Sequence, residues 1–382
     1  MKSTTNIQFE PPLANADDFP VPRVSATPER HKIAIGKQKF YQQSQYRKSG
    51  LYTKNGRSAL AYIIKELDLD ENSTVLLPVY HCPAMVEPFL WAKVNIQFYP
   101  LNDDLSVNLT ELASMLSAKV DAILLVKFFG FDTNTKNALV QAKAHELKVI
   151  EDCAHAFFSP KLTSGSVSSD ASFCSLNKFF SCFDGGMLNT SSIKTQQTIR
   201  QLGSTGLVSE VKEILGRFDS VSWLSTVFKR TFGKDRHNVP VAPDKGDVAA
   251  PTYRYFNEQD MLVKCFYATR LQLKFESYSR IAYKRRKNYH YLYGQLLNST
   301  VGTPLYELNE RTVPYVFPFL LHDRRDFNKV REAGIQILRW EEYCVTENAI
   351  TESYRERLIQ VPCHQDLTKE QLSFIVQIIN KK

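Results

Sequence analysis

No two cysteines in this chain are spaced as CxxC. The seven present, Cys82, Cys153, Cys174, Cys182, Cys265, Cys344 and Cys363, are odd in number and scattered, which argues against a disulfide framework and for a reducing compartment. The eight histidines, at 31, 81, 145, 155, 237, 290, 322 and 364, show no ligand spacing, so no metal site is expected. No apolar run is long enough to span a bilayer, and Met1–Pro12 lacks the apolar core of a signal peptide; a soluble, cytoplasmic protein is the expectation. Charge is not gathered into a block either. Lysine and arginine number 48 against 40 aspartates and glutamates, net +8 and spread along the chain, a balance that suits anionic small molecules at least as well as nucleic acid. Neither an internal repeat nor a low-complexity tract is present.

What is there is a strand–helix alternation. A chain of 382 residues is long for one core, so two structural units are expected. Residues 1–50, rich in proline and polar groups, read as an N-terminal arm. Beyond it, helices are expected at 57–67, 83–91, 109–118 and 135–146, and strands at 74–78, 94–99, 122–126, 148–151, 171–175 and 186–190. This spacing predicts an α/β fold, a mainly parallel central sheet sandwiched by helices over residues 51–258, with 204–256 as an irregular insertion or lid. A smaller C-terminal α/β domain, 259–382, would hold one long helix or a broken pair at 259–297, the segments 315–321, 326–333 and 334–340, and a helix at 368–380. The basic and aromatic run Tyr283–Tyr291 (YKRRKNYHY) reads as a solvated helix face with its tyrosines packed inward, not as a nucleic-acid site.

Chemistry concentrates in two stretches, Lys148–Ala156 (KVIEDCAHA) and Ser172–Phe180 (SFCSLNKFF). Asp152 closes a predicted parallel strand, where open α/β sheets place ligands, and Lys178 lies in a short turn among phenylalanines. A carboxylate to keep a pyridine nitrogen protonated and a lysine to carry an aldehyde as a Schiff base are what pyridoxal 5'-phosphate requires. Singly, each has a plainer reading: Asp152 as a cap, Lys178 as a solvated lysine. Around them, Gly56, Arg57 and Ser58 open a helix and offer an anion site. Ser175 can add its hydroxyl to a phosphate, His81 and Cys82 end a strand where a flat side chain would stack on a ring, and His155 can reach a phenolic oxygen. Either histidine can equally be a satisfied core imidazole.

In their order these motifs resemble the DegT/StrS family of pyridoxal-phosphate-dependent nucleotide-sugar aminotransferases, of fold type I. The resemblance runs from Asn55–Leu60 (NGRSAL) through Leu76–Pro83 (LLPVYHCP), Val126–Phe131 (VKFFGF), Ile150–Ala156 (IEDCAHA) and Ser175–Phe180 with Asp184–Gly186, to Leu358–Asp366 (LIQVPCHQD). It implies that Lys178 holds the cofactor and shuttles protons, that Asp152 pairs with the pyridine nitrogen, and that Ser175 and the 56–58 amides hold the phosphate. A lysine at 178, where some relatives carry histidine, implies amino transfer and not dehydration. The implied donor is an amino acid, L-glutamate in most relatives, and the acceptor a nucleotide-linked keto sugar destined for surface polysaccharide such as O-antigen. A homodimer is implied, with Asn257 the candidate for the asparagine that relatives lend to the partner's site. Many relatives have glutamine where His155 stands, and the serine falls closer to the lysine here than in their commoner pattern. A same-fold enzyme of another outcome, or a non-catalytic relative, is the competing reading.

Overall fold

A computed structural model describes residues 7–14, 18–28, 44–116, 119–204, 210, 253–344 and 348–381. The segment expected to be irregular, 204–256, lies outside the described residues except at 204, 210 and 253–256. The larger sheet is built from β1 (Tyr52–Thr53), β2 (Thr74–Pro78), β3 (Asn95–Tyr99), β4 (Ala122–Val126), β5 (Lys148–Asp152), β8 (Ala171–Ser175) and β9 (Gly186–Thr190), with the small hairpin of β6 (Thr163–Ser164) and β7 (Val167–Ser168) set between β5 and β8 in sequence. Its order is β1-β9-β8-β5-β4-β2-β3. The five strands from β8 to β3 pair in parallel, and β9 runs antiparallel to both β8 and β1.

The residues explain the layering. Every position of β4 (AILLV) is buried, as a parallel strand covered by helices on both faces must be, whereas edge strand β3 keeps a partly exposed pattern. The covering helices are α1 (Gly56–Glu66), α2 (Pro83–Trp91), α3 (Leu109–Met115), α4 (Thr135–Ala144) and α5 (Ile193–Gln201). Asn55, Asn108 and Ser192 cap α1, α3 and α5 by accepting from the first-turn amides, the usual role of short polar side chains there.

The expected helix at 259–297 is a broken pair, α6 (Tyr267–Phe275) and α7 (Tyr278–Leu296). A second sheet of β10 (Gly302–Pro304), β11 (Phe317–Leu321) and β12 (Leu358–Val361) is wholly antiparallel, flanked by α8 (Asp326–Glu332), α9 (Ala349–Arg357) and α10 (Lys369–Ile379). Segment 334–340 contributes only single bridges, Ile335 to Val24 and Leu338 to Gln360. The arm lies along this part of the molecule, with Glu10 N–H donating to Tyr343 O (2.8 Å) and Arg23 N–H to Gly334 O (2.8 Å).

The solvated face expected for Tyr283–Tyr291 fails at one position. Arg285 is fully buried, and its guanidinium donates to the carbonyls of Lys178 (3.0 Å) and Tyr315 (2.7 Å) and to Gln365 Oε1 (2.9 Å). Tyr289 packs inward, but Tyr283 and Tyr291 are exposed, because the helical period turns them away from the sheets. Among the described residues, no helix is long and apolar enough to cross a membrane.

Candidate active site

The carboxyl ends of β4, β5 and β8 converge on one point, and β5 delivers two carboxylates there with opposite fates. Successive strand residues face opposite sides of a sheet. Glu151 turns to one side and is neutralised by Lys127 Nζ at 2.5 Å, with Ser169 Oγ and Leu162 N–H also donating to it. Asp152, in register with Val126 and Phe173, turns to the other. It is buried and accepts Ala154 N–H at 2.7 Å. Burial pushes its carboxyl up to about 6, while the Ala154 amide pulls it down. A carboxyl so placed favours a cationic partner.

Lys178 ends the short 3-10 turn Leu176–Lys178 that follows β8. Its Nζ stands 2.7 Å from His155 Nε2 and 5.2 Å from the Tyr315 ring centre. His155 is itself clamped: Phe129 and Tyr315 stack on it at centroid distances of 5.7 and 4.5 Å, and Trp340 approaches to 5.5 Å. The Phe129 amide donates to His155 Nδ1 at 3.3 Å. A backbone N–H cannot accept, so the ring proton sits on Nε2 and points at Lys178. Facing a donor, Nζ must accept, which only the neutral amine does. The surroundings act in the same direction. Burial lowers the Lys178 pKa, with Arg57 adding to it and Asp152 opposing, and burial holds His155 well below its usual range.

Backbone geometry fixes this contact. Phe129 has φ +56°, an uncommon conformation for a bulky residue. It is held there from both sides, its N–H spent on His155 and its carbonyl accepting Tyr315 N–H at 2.9 Å. Gly130 follows at φ +100°, where a Cβ would come within 2.8 Å of Val313 O and 3.0 Å of His155 O. Strain of this kind persists where the surrounding structure over-determines it.

The amino end of α1 abuts the same point, since a Cβ on Gly56 would lie 3.5 Å from the Ser175 Cβ. Ser58 is the exception among the expected phosphate ligands. Both its N–H (2.9 Å) and its hydroxyl (3.1 Å) are spent on Asn55 Oδ1, so the first turn keeps the Gly56 and Arg57 amides for an anion. Ser175 is half-buried beside them, its hydroxyl donating to Asn177 Oδ1 at 2.9 Å.

His81 also departs from expectation. Its ring is fully buried and stacked on Phe98 at 4.7 Å. Nδ1 meets Pro78 O at 3.1 Å and Nε2 accepts Cys344 N–H at 3.2 Å, so ring and nitrogens are committed to the core and do not face Lys178. Burial takes its pKa down to about 4. Cys82, next in that turn, is half-buried, and burial raises its thiol pKa. Asn257, exposed, caps the 3-10 turn that follows it by accepting Gln259 N–H at 3.0 Å. The sequence singled out none of Phe129, Tyr315, Trp340 or Arg285 for this site, although the VKFFGF motif and the segment 315–321 contain two of them.

The chemistry of this donor set fits pyridoxal phosphate. It holds an uncharged amine, a buried carboxyl lacking a full cationic partner, and a helix start with open amides.

Residues 38–219 match the model of the DegT/DnrJ/EryC1/StrS aminotransferase family, which bears out the resemblance carried by the motifs. The chain is 23% identical over 163 residues to the UDP-N-acetyl-3-dehydro-alpha-D-glucosamine 3-aminotransferase of Acidithiobacillus ferrooxidans, covering 41% of this chain and 44% of that one. It is 28% identical over 142 residues to the GDP-perosamine synthase of Escherichia coli O157:H7, covering 36% and 38%. The matched stretch thus spans less than half the length of either relative. Among solved structures, it is similar to S. venezuelae DesV in complex with a ketimine intermediate (TM-score 0.61, 14% identity, 86% of this chain and 83% of that one). It is also similar to Helicobacter pylori PseC, an aminotransferase of pseudoaminic acid biosynthesis (TM-score 0.59, 17% identity, 94% and 98%). These likenesses establish the fold, a mixed α/β architecture around a mostly parallel sheet.

Proposed function

We propose, with the match of residues 38–219 to the DegT/DnrJ/EryC1/StrS aminotransferase family as premise, that this chain is a pyridoxal-phosphate-dependent aminotransferase. It moves an amino group from an amino acid, L-glutamate, to a nucleotide-linked keto sugar. The names of the two curated relatives, one acting on a UDP-linked sugar and one a GDP-perosamine synthase, support that acceptor class. The observation that carries the reading is the Lys178 amine facing the His155 N–H beside the raised carboxyl of Asp152.

When bound, the cofactor supplies an aldehyde for Lys178 and a ring that withdraws electrons from the substrate's amine-bearing carbon. Asp152 offers its carboxylate to the ring nitrogen. The Gly56 and Arg57 amides and the positive end of α1 would take the phosphate, joined by the Ser175 hydroxyl once it turns from Asn177. Lys178 Nζ, its pKa lowered by burial, accepts a proton from substrate and returns it, and the His155 N–H orients its lone pair. Tyr315 covers that nitrogen, while Phe129 and Trp340 hold the His155 ring in place. The protein works in the cytoplasm as a homodimer, for surface polysaccharide. The test is direct: wild-type protein mixed with pyridoxal phosphate develops a visible band that borohydride traps on Lys178, and glutamate with a keto-sugar nucleotide yields 2-oxoglutarate. A Lys178→Ala variant that still turns over, or a folded wild type that never takes up the cofactor, overturns the reading.

A further inference from the structure

A cavity of about 500 Å³ lies between the N-terminal arm, the start of α2 and the segment 337–342, within the size range of small-molecule sites. Two of its lining residues also border the catalytic pocket: Trp340, whose ring lies 5.5 Å from that of His155, and Cys82, which follows the core residue His81 at the start of α2. Trp340 and Cys82 thus form the wall between the cavity and the pocket that holds His155 and Lys178. Its charges are nearly all spent. Glu341 accepts from Arg339 Nε at 2.5 Å and from the Leu13 and Ala14 amides, and Glu342 is held by Arg254 and the Tyr255 hydroxyl. Arg339 is in turn occupied by Glu341 and the Glu356 carbonyl.

Arg331 is what remains. It lines the cavity and is 9% exposed, and its guanidinium lies 4.6 Å over the Phe19 ring. Among the described residues no carboxylate or carbonyl accepts from it. A guanidinium with one face on an aromatic ring still presents its N–H edge to the cavity, where Glu341 acts on it through space without bonding to it. Across the cavity, α2 begins at Pro83 without a side-chain cap, so its positive end adds to the same field.

We propose that Arg331 and the amino end of α2 form the subsite for the anionic group of the substrate, a carboxylate or a phosphate, in the cavity that adjoins the pocket of Lys178. The assignment rests on the aminotransferase reading and names the residue that anchors its substrate. A carboxylate would come from the amino donor and a phosphate from the nucleotide.

Calorimetric titration of the full chain, loaded with pyridoxal phosphate and cofactor-free, with 2-oxoglutarate and with UDP, tests it. Arg331→Gln is expected to weaken the ligand that uses the subsite by about tenfold or more and to leave the other unchanged, which identifies the source. Arg331→Lys should recover part of the loss, because charge survives while the fork geometry does not. Melting curves show whether each variant folds. Should Arg331→Gln not fold, the wild type decides: the subsite requires UDP to bind more tightly than uridine, or 2-oxoglutarate to bind at all, with affinity falling as salt rises. Equal affinities in wild type and Arg331→Gln, or no anion dependence in the wild type, overturn it. Cofactor loading is followed separately by its visible band, so an empty subsite and a protein that takes no cofactor give different results.

Discussion

Asp152 and Glu151 are adjacent carboxylates, both buried, on opposite sides of β5. That single alternation leaves Glu151 paired with Lys127 and Asp152 open to a ligand. Because its carboxyl is raised from 3.8 to about 6 by burial, the folded protein binds that proton more tightly than the unfolded chain. Its contribution to stability is present below about pH 4 and lost as pH rises through about 6. In the cofactor-free protein, Asp152→Asn is therefore expected to flatten the fall of the urea midpoint between these pH values; an unchanged profile would show that another group sets it. His155 offers a second residue-scale outcome. His155→Leu removes the N–H that meets Lys178 and admits water, so the pH at which borohydride trapping on Lys178 is half complete should move upward. A midpoint that stays put would mean that the imidazole does not govern the amine.

At the scale of elements, the site depends on α1 docking against the first residue of β9. A Cβ on Gly186 would fall 2.2 Å from Asn55 O and 2.7 Å from Gly56 N, both backbone atoms that cannot swing aside. Gly186→Ala must push the start of α1 away, at a cost of about 1–3 kcal/mol, and should weaken pyridoxal phosphate uptake more than a surface change of equal cost. Urea unfolding and cofactor titration on the same variant separate the two effects. Asn55 links the same helix to Asp260 at 2.7 Å while capping Ser58. Asn55→Ala is expected to lose about 1 kcal/mol and to free the Ser58 amide. Most elements were legible beforehand, since strands such as TVLLP at 74–78 and AILLV at 122–126 are bounded apolar runs. Helix α9 and the short β10 were not, because a polar nine-residue helix and a three-residue strand carry little periodic signal.

Across the whole molecule, Arg285 joins the parts that make the site. From α7 it holds the carbonyls of Lys178 in the turn after β8 and Tyr315 ahead of β11, along with Gln365 beyond β12. Replacing it with methionine keeps the volume but leaves buried carbonyls without donors, an expected loss of about 3–5 kcal/mol. Loosened positioning of Lys178 should also lower kcat more than it alters substrate affinity. A variant as stable as wild type by urea denaturation would show that the clamp is dispensable.

The sequence by itself determined the α/β alternation, the pairing of Asp152 with Lys178 at neighbouring strand ends, and the family resemblance those motifs carry. These are local properties, encoded in periodicity and in residue types a few positions apart. Only the tertiary structure decided that Ser58 and His81 are spent on Asn55 and Phe98, that Phe129 sets the His155 tautomer, and that Arg285 and Arg331 are buried cations with different duties. Each of these depends on groups tens to hundreds of residues apart, or on which of several neighbours claims a hydrogen bond, and no pattern along the chain records that competition.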